Sequence, residues 1–235
     1  MIVERKTRMK ITCLIDEKKW TRKPTDWEIV EMQGYTEKET GIYHETTFAL
    51  AEIEIAELAQ KLANGATFKP GVLVGGRSAK CWRQQQLFAL DFDNGMTPEE
   101  ALEICERYNI HPVFIYTTFS DSFEKRKFRM VFCTDKVITD GKIRDKLQLT
   151  LMYIFGKTDP KCKNRDRLFF GGKGKVPCYS DFEARIEADK IIEKYYCKEC
   201  ELKKTAGRKM ITPFTKAKND NDKEKASVVN KKLNL

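Results

Sequence analysis

The strongest chemical signal in the chain is a pair of carboxylates one residue apart at the end of an apolar run. In Leu87-Phe88-Ala89-Leu90-Asp91-Phe92-Asp93-Asn94-Gly95, strand alternation would put Asp91 and Asp93 on one face while Leu90 and Phe92 enter the core. Carboxylates this close repel unless a cation lies between them. Hard oxygen ligands suit Mg²⁺ or Mn²⁺, which bridge to substrate phosphates. The competing reading is that one aspartate merely caps the turn at Asn94-Gly95. A metal clamp for phosphoryl chemistry wants a third acid and nearby cations. Asp159, in Lys157-Thr158-Asp159-Pro160, is the candidate, although Asp-Pro also opens turns. The stretch that follows, Arg165-Asp166-Arg167-Leu168-Phe169-Phe170-Gly171-Gly172-Lys173-Gly174-Lys175, offers arginines and a Gly/Lys loop. Its glycines would let backbone N–H groups approach phosphate, and its lysines would neutralise the charge. It is not a Walker A motif, whose spacing and final Ser/Thr are missing. Cys197 and Cys200, in Cys-Lys-Glu-Cys, are half a zinc site that Cys162 and Cys178 could complete. Cys13, Cys81, Cys105 and Cys133 read as core residues.

These side chains need elements to hold them. A strand is expected over residues 9–15 and a helix from Thr46, where Leu50, Ile53, Leu58 and Leu62 share a face up to the stop at Asn64-Gly65. Residues 68–75 read as a strand, 75–78 as a turn, and 82–92 as a second strand. Thr97-Pro98-Glu99-Glu100 starts a helix running to about Tyr108: threonine caps, proline suits the first helical position, and Glu100 completes a capping box. Strands at 113–118 and 128–133 are joined by a charged loop. Thr139 or Asp140 begins a helix through Ile143, Leu147, Leu151 and Ile154, ended by Gly156. A short strand at 167–170 and a helix at 183–195 follow. From residue 82 the order is strand, helix, strand, strand, helix, strand. This predicts an α+β fold with a split βαβ, ferredoxin-like sheet, one face covered by helices and the other free for a ligand. The division expected is an N-terminal α/β unit (1–80), an RRM-like unit (81–195) and a basic linker or tail (196–235) that could lead to a further domain.

The chain has 235 residues, 41% hydrophobic and 34% charged, with a net charge of +9. Residues 203–235 hold ten basic and three acidic residues, so +7 of that charge lies in the tail. Two local clusters are more telling about an anionic partner: Lys125, Arg126, Lys127 and Arg129, and the six cations between Lys161 and Lys175. No apolar run approaches the roughly 20 residues of a membrane span, and no signal-peptide pattern is present, so neither a membrane nor a secreted protein is expected. Eight cysteines with one close pair fit a reducing cytoplasm better than a disulfide framework.

Taken together, residues 45–190 resemble the archaeo-eukaryotic primase superfamily, closest to primase-polymerase domains of phages, plasmids and mobile elements. That family carries a hydrophobic strand ending in acidic-x-acidic, a Ser-x-His strand and a later acidic residue. Asp91 and Asp93 match the first and Asp159 the third. The second departs: neither His44 nor His111 fits, and Arg129 stands where the histidine would be. Arginine can hold a phosphate but cannot exchange a proton near neutral pH. The resemblance implies metal-dependent, template-directed nucleotidyl transfer, in which a 3′-hydroxyl attacks the α-phosphate of an NTP or dNTP and releases pyrophosphate. By the same resemblance, Asp91, Asp93 and Asp159 would hold Mg²⁺ or Mn²⁺. Arg129, Ser120, Arg167 and Lys173 would hold the nucleotide, and Arg77, Arg126, Lys127, Arg165 and Lys175 the DNA. Structural zinc at Cys197 and Cys200 and a replicative helicase as partner belong to the same expectation.

Two other functions fit some of these residues. Residues 89–95 also look like the haloacid-dehalogenase signature, with Asp91 as nucleophile and Asp93 as general acid/base in a phosphatase, although Asn94 interrupts its ending. A replication-initiator module that grips nucleic acid without catalysis would tolerate Arg129 in the histidine's place.

Overall fold

The computed structural model describes residues 10–202; Met9 and the basic tail from residue 203 lie outside them. The N-terminal part runs β1 (Lys10–Asp16), α1 (Asp26–Gln33), β2 (Tyr35–Thr36), β3 (Tyr43–His44), β4 (Ala49–Glu54), α2 (Ile55–Ala63), β5 (Thr67–Lys69) and β6 (Gly71–Leu73). It continues through β7 (Trp82–Phe92), α3 (Pro98–Tyr108), β8 (Phe114–Thr117), β9 (Phe128–Ile138) and α4 (Gly141–Phe155), then β10 (Tyr179–Ser180), α5 (Ala188–Tyr195) and α6 (Lys198–Leu202). No helix among the described residues is long and apolar enough to cross a membrane.

Two antiparallel sheets carry the architecture. One is three-stranded, β4-β1-β5; the other is five-stranded, β10-β8-β9-β7-β6; β2 and β3 form a separate two-stranded pair. The helix expected from Thr46 starts only at Ile55, because residues 49–54 pair antiparallel with β1. Leu50 and Ile53 are spaced as a helix allows, but a sheet partner for β1 decides otherwise. The single strand expected at 68–75 is two. Pro70, which has no N–H to donate, separates β5, paired with β1, from β6, paired with β7. The helix expected from residue 183 begins at Ala188.

The order β8-β9-β7 is that of the first three strands of a split βαβ sheet. The fourth place, beside β7, belongs to β6 and not to the strand expected at 167–170. That segment attaches to the other sheet, where the Phe68 and Phe169 backbones exchange hydrogen bonds of 3.0 and 2.8 Å. It is a strap from one sheet to the other.

Along β7, Phe92 faces Phe128 and Phe88 faces Phe132 across the β9 ladder. Phe155 of α4 packs against Phe92 and Phe132, and Cys105 of α3 meets Met130, so these helices cover that face. The other face is not free, as the sequence suggested. Leu87, Ala89, Val131 and Phe114 are buried there, and apolar side chains of that kind need cover. β1 and α2 pack against β7 and β8 to supply it, and one continuous core joins both sheets.

The local signals at α3 and α4 form as the sequence implies. Thr97 Oγ1 accepts from the Glu100 N–H while Glu100 accepts from the Thr97 N–H. Asp140 caps α4, and Gly156, at φ 71°, ends it with its N–H on the Met152 carbonyl.

Candidate functional site

Asp91 is the penultimate residue of β7. Its neighbour in register on β9 is Arg129, and Arg129's neighbour on β8 is Tyr116, so the three side chains form a row across the sheet. All three are buried. Arg129 Nη2 donates to Asp91 Oδ2 at 3.2 Å. Arg129 Nη1 and the Tyr116 hydroxyl both donate to the Phe170 carbonyl, the latter at 3.1 Å. Burial works against the charge of Arg129, but Asp91 and the Tyr116 oxygen outweigh it and hold the guanidinium above its ordinary value. Burial also pushes the Tyr116 phenol up.

Asp159 joins this row from a distant part of the chain. Its N–H donates to the Asp91 carbonyl at 2.9 Å. Arg167 then links the two acids, with Nη2 2.7 Å from Asp159 Oδ2 and 3.6 Å from Asp91 Oδ2. Asp159 also does what an Asp-Pro turn does, since its carboxylate accepts from the Lys161 N–H at 2.9 Å and caps a short 3₁₀ turn. The carboxylate therefore caps the turn and pairs with Arg167 at the same time. Asp93 lies just past the end of β7, exposed in the turn.

The donors that converge are hard carboxylate oxygens, the type that suits Mg²⁺ or Mn²⁺. Each is engaged by a guanidinium, and among the described residues no three His, Cys, Asp or Glu side chains cluster as a set of ligands; Mg²⁺ is commonly held by one or two carboxylates with substrate phosphates completing its shell. Arg129 Nε and Arg167 Nε are buried without a hydrogen-bond partner, as is Thr158 Oγ1. Unsatisfied buried donors carry a free-energy cost, and an acceptor-rich ligand such as a phosphate would remove it.

The Gly/Lys loop has a different task from the phosphate cradle expected of it. The Gly172 N–H donates to the Leu62 carbonyl at 2.9 Å, and the Lys175 N–H to the Ala63 carbonyl at 3.2 Å. A Cβ on Gly172 would stand 1.8 Å from the Thr117 carbonyl oxygen, and one on Gly171 2.4 Å from that of Ala66. These glycines allow the strap to lie against the end of α2 and the end of β8. Lys173 and Lys175 remain exposed on it.

That packing sets the part of the strap that carries Lys173 and Lys175 against Thr117, which leads into the β8–β9 loop that carries Lys125, Arg126 and Lys127. Asp121 organises this loop: its Oδ1 accepts from the Lys127 N–H at 2.7 Å and from Arg126 Nε at 3.0 Å. Ser120 is exposed at its start. Two expected nucleic-acid contacts are tied down elsewhere. Arg165 forms a bidentate pair with Asp145 at 3.0 and 2.8 Å and lies over the Trp82 ring, while Arg77 donates to the Gly34 carbonyl. An open cleft of about 370 Å³ lies beside Arg165, lined also by Lys80, Asp145 and Lys163, and none of the Asp91 group lines it.

Cys197 and Cys200 are 3.5 Å apart, sulfur to sulfur. Cys162 does not join them: it is buried near Asp91, its thiol pushed up to about 12 by burial. The Cys178 thiol donates a hydrogen bond to the Ile115 carbonyl at 3.4 Å. Sequence reasoning missed Tyr116 and the Phe170 carbonyl. Within an apolar run Tyr116 reads as core, and only strand register shows that it stands beside Arg129.

No protein-family model matches the chain, and no curated protein sequence does. Among solved structures it is similar to the AEP domain of the primase-polymerase (PrimPol) of cyanophage S-2L, at 14% identity, over 62% of this chain and 79% of that one, with a TM-score of 0.42.

Proposed function

We propose that this protein is a nucleotidyltransferase of the primase-polymerase kind, acting on NTP or dNTP with a DNA strand as template. The observation that carries the reading is the convergence of Asp91 and Asp159, acids far apart in sequence, on Arg167, with Arg129 on the other side of Asp91. Asp91 and Asp159, with Asp93 in the adjoining turn, are the groups that would hold Mg²⁺ or Mn²⁺, which when bound neutralises phosphate charge. Arg167 and Arg129 offer the buried, unpaired Nε–H donors that suit a triphosphate. Tyr116 and the Phe170 carbonyl keep Arg129 oriented. Since arginine cannot take a proton near neutral pH, Arg129 binds and positions; the 3′-hydroxyl must lose its proton to another acceptor. Lys125, Lys127, Lys173 and Lys175, on the β8–β9 loop and on the strap that packs against Thr117 at its base, supply cations for the strand.

A second reading has its own support. Arg167 lies between the two carboxylates, an arrangement also suited to a module that binds nucleic acid without catalysis. Incorporation of labelled nucleotide on primed and unprimed templates with Mg²⁺ or Mn²⁺ separates the two. Extension by the wild type that is lost in Asp91→Asn and Asp159→Asn supports the enzyme. DNA binding that persists in EDTA, with no incorporation under either metal, supports the binding module. Template-free hydrolysis of a simple phosphate ester would instead favour the phosphatase.

A further inference from the structure

Phe123 is 94% exposed. The twelve other described phenylalanines are all buried or half-buried, so its place at the apex of a charged loop is not explained by the fold. The loop is not loose either. The Ser122 N–H donates to the Lys125 carbonyl at 3.2 Å, the Lys125 N–H to Ser122 Oγ at 3.1 Å, and the Thr118 N–H to the Lys127 carbonyl at 3.0 Å across its base. Asp121 is occupied with Arg126 and the Lys127 backbone. Glu124's own backbone N–H and the Ser122 hydroxyl hold its carboxyl below the usual range. An exposed aromatic ring is thus carried on a hydrogen-bonded loop whose next residues include Lys125 and Lys127. Phe128, at the far end of the loop, pairs with Phe92, so the ring stands at the sheet end where Asp91 and Asp93 lie. Lys173 and Lys175 sit on the strap packed against Thr117, at the base of the same loop.

We propose that this loop is a stacking finger, in which Phe123 takes an unpaired nucleobase of a single strand while the flanking lysines hold its phosphates. Every base has a flat π face, so one exposed ring can serve any sequence, and cations beside it track the backbone. The proposal rests on the nucleic-acid reading above and adds a contact to bases.

The test is a fluorescence-anisotropy titration of the whole chain with a labelled single-stranded oligonucleotide and with an abasic strand of the same length. Phe123→Ala should weaken binding of the base-bearing strand about 5- to 150-fold, the range for loss of one stacked base, and leave the abasic strand's affinity unchanged. Phe123→Trp should retain affinity and show tryptophan quenching by the base-bearing strand only. Equal affinity of wild type and Phe123→Ala for the base-bearing strand overturns the finger while leaving the nucleic-acid reading intact. Equal wild-type affinity for both strands overturns it as well. Failure of the wild type to bind either strand overturns the nucleic-acid reading and the finger with it.

Discussion

Replacing Arg129 by methionine removes the cation but keeps much of the side chain's length in the row Asp91–Arg129–Tyr116. The side chains of Asp91 and Arg129 are 11% and 9% exposed, and their closest approach is 3.2 Å. Breaking a buried ion pair by deleting one partner costs about 3–5 kcal/mol, because the other charge stays buried. Arg167, 3.6 Å from the same Asp91 oxygen, still offers partial compensation, which puts the expectation near the lower bound, about 3 kcal/mol. For a chain of this size that corresponds to a fall in melting temperature of roughly 6–12 °C. Asp91→Asn alone should also destabilise, because a neutral amide oxygen replaces the carboxylate charge that faces the buried Arg129 guanidinium. The double variant removes both charges, so its loss should fall short of the sum by about 0.5–3 kcal/mol. Thermal melts of the four proteins complete the cycle. A shift below about 3 °C for Arg129→Met, or strict additivity in the double variant, would show that the two groups are not a buried pair and would refute the geometry of the site.

Two further outcomes test the packing around it. Gly172→Ala should be destabilising beyond the ~1–3 kcal/mol of ordinary overpacking, since its Cβ meets the Thr117 carbonyl oxygen at 1.8 Å. Gly174→Ala, whose Cβ would stand 3.0 Å from Thr117 Oγ1, should cost less. Equal melting temperatures for Gly172→Ala and wild type would mean that the strap does not lie on β8. Burial pushes the thiols of Cys13, Cys105 and Cys162 up to about 12 from an ordinary value of 9.0. Groups raised in the folded state contribute stability fully below pH 9 and lose it as pH rises toward 12, because only the unfolded chain ionises. The loss is about 1.4 kcal/mol per thiol at pH 10, measured as a lower urea midpoint at pH 10 than at pH 8. In native protein at pH 8 iodoacetamide should leave these three unlabelled while labelling Cys178, which is exposed; rapid labelling of Cys162 would contradict its burial.

The elements that hold Asp91 and the two helices behind it were legible in the amino-acid order alone. Leu87 to Phe92 has a strand's apolar content, Thr97 and Glu100 are spaced for reciprocal capping, and Asp140 and Gly156 mark the two ends of α4. Each depends on neighbours within about four residues, and short-range propensities and hydrogen bonds decide such features whatever the rest of the chain does. Asp159 could be picked as a partner for Asp91 from the need for a third acid beside a basic stretch and from a family resemblance, but nothing local to either residue specifies the other. Tertiary packing alone decided that Arg167 lies between them, that Gly172 serves close approach to Thr117, that β6 occupies the sheet place expected for residues 167–170, and that β4 replaces the first turns of a helix. In each case distant segments compete to bury the same apolar face and satisfy the same strand edge. The winner depends on the burial and hydrogen bonding of the whole assembly, which no window along the chain contains.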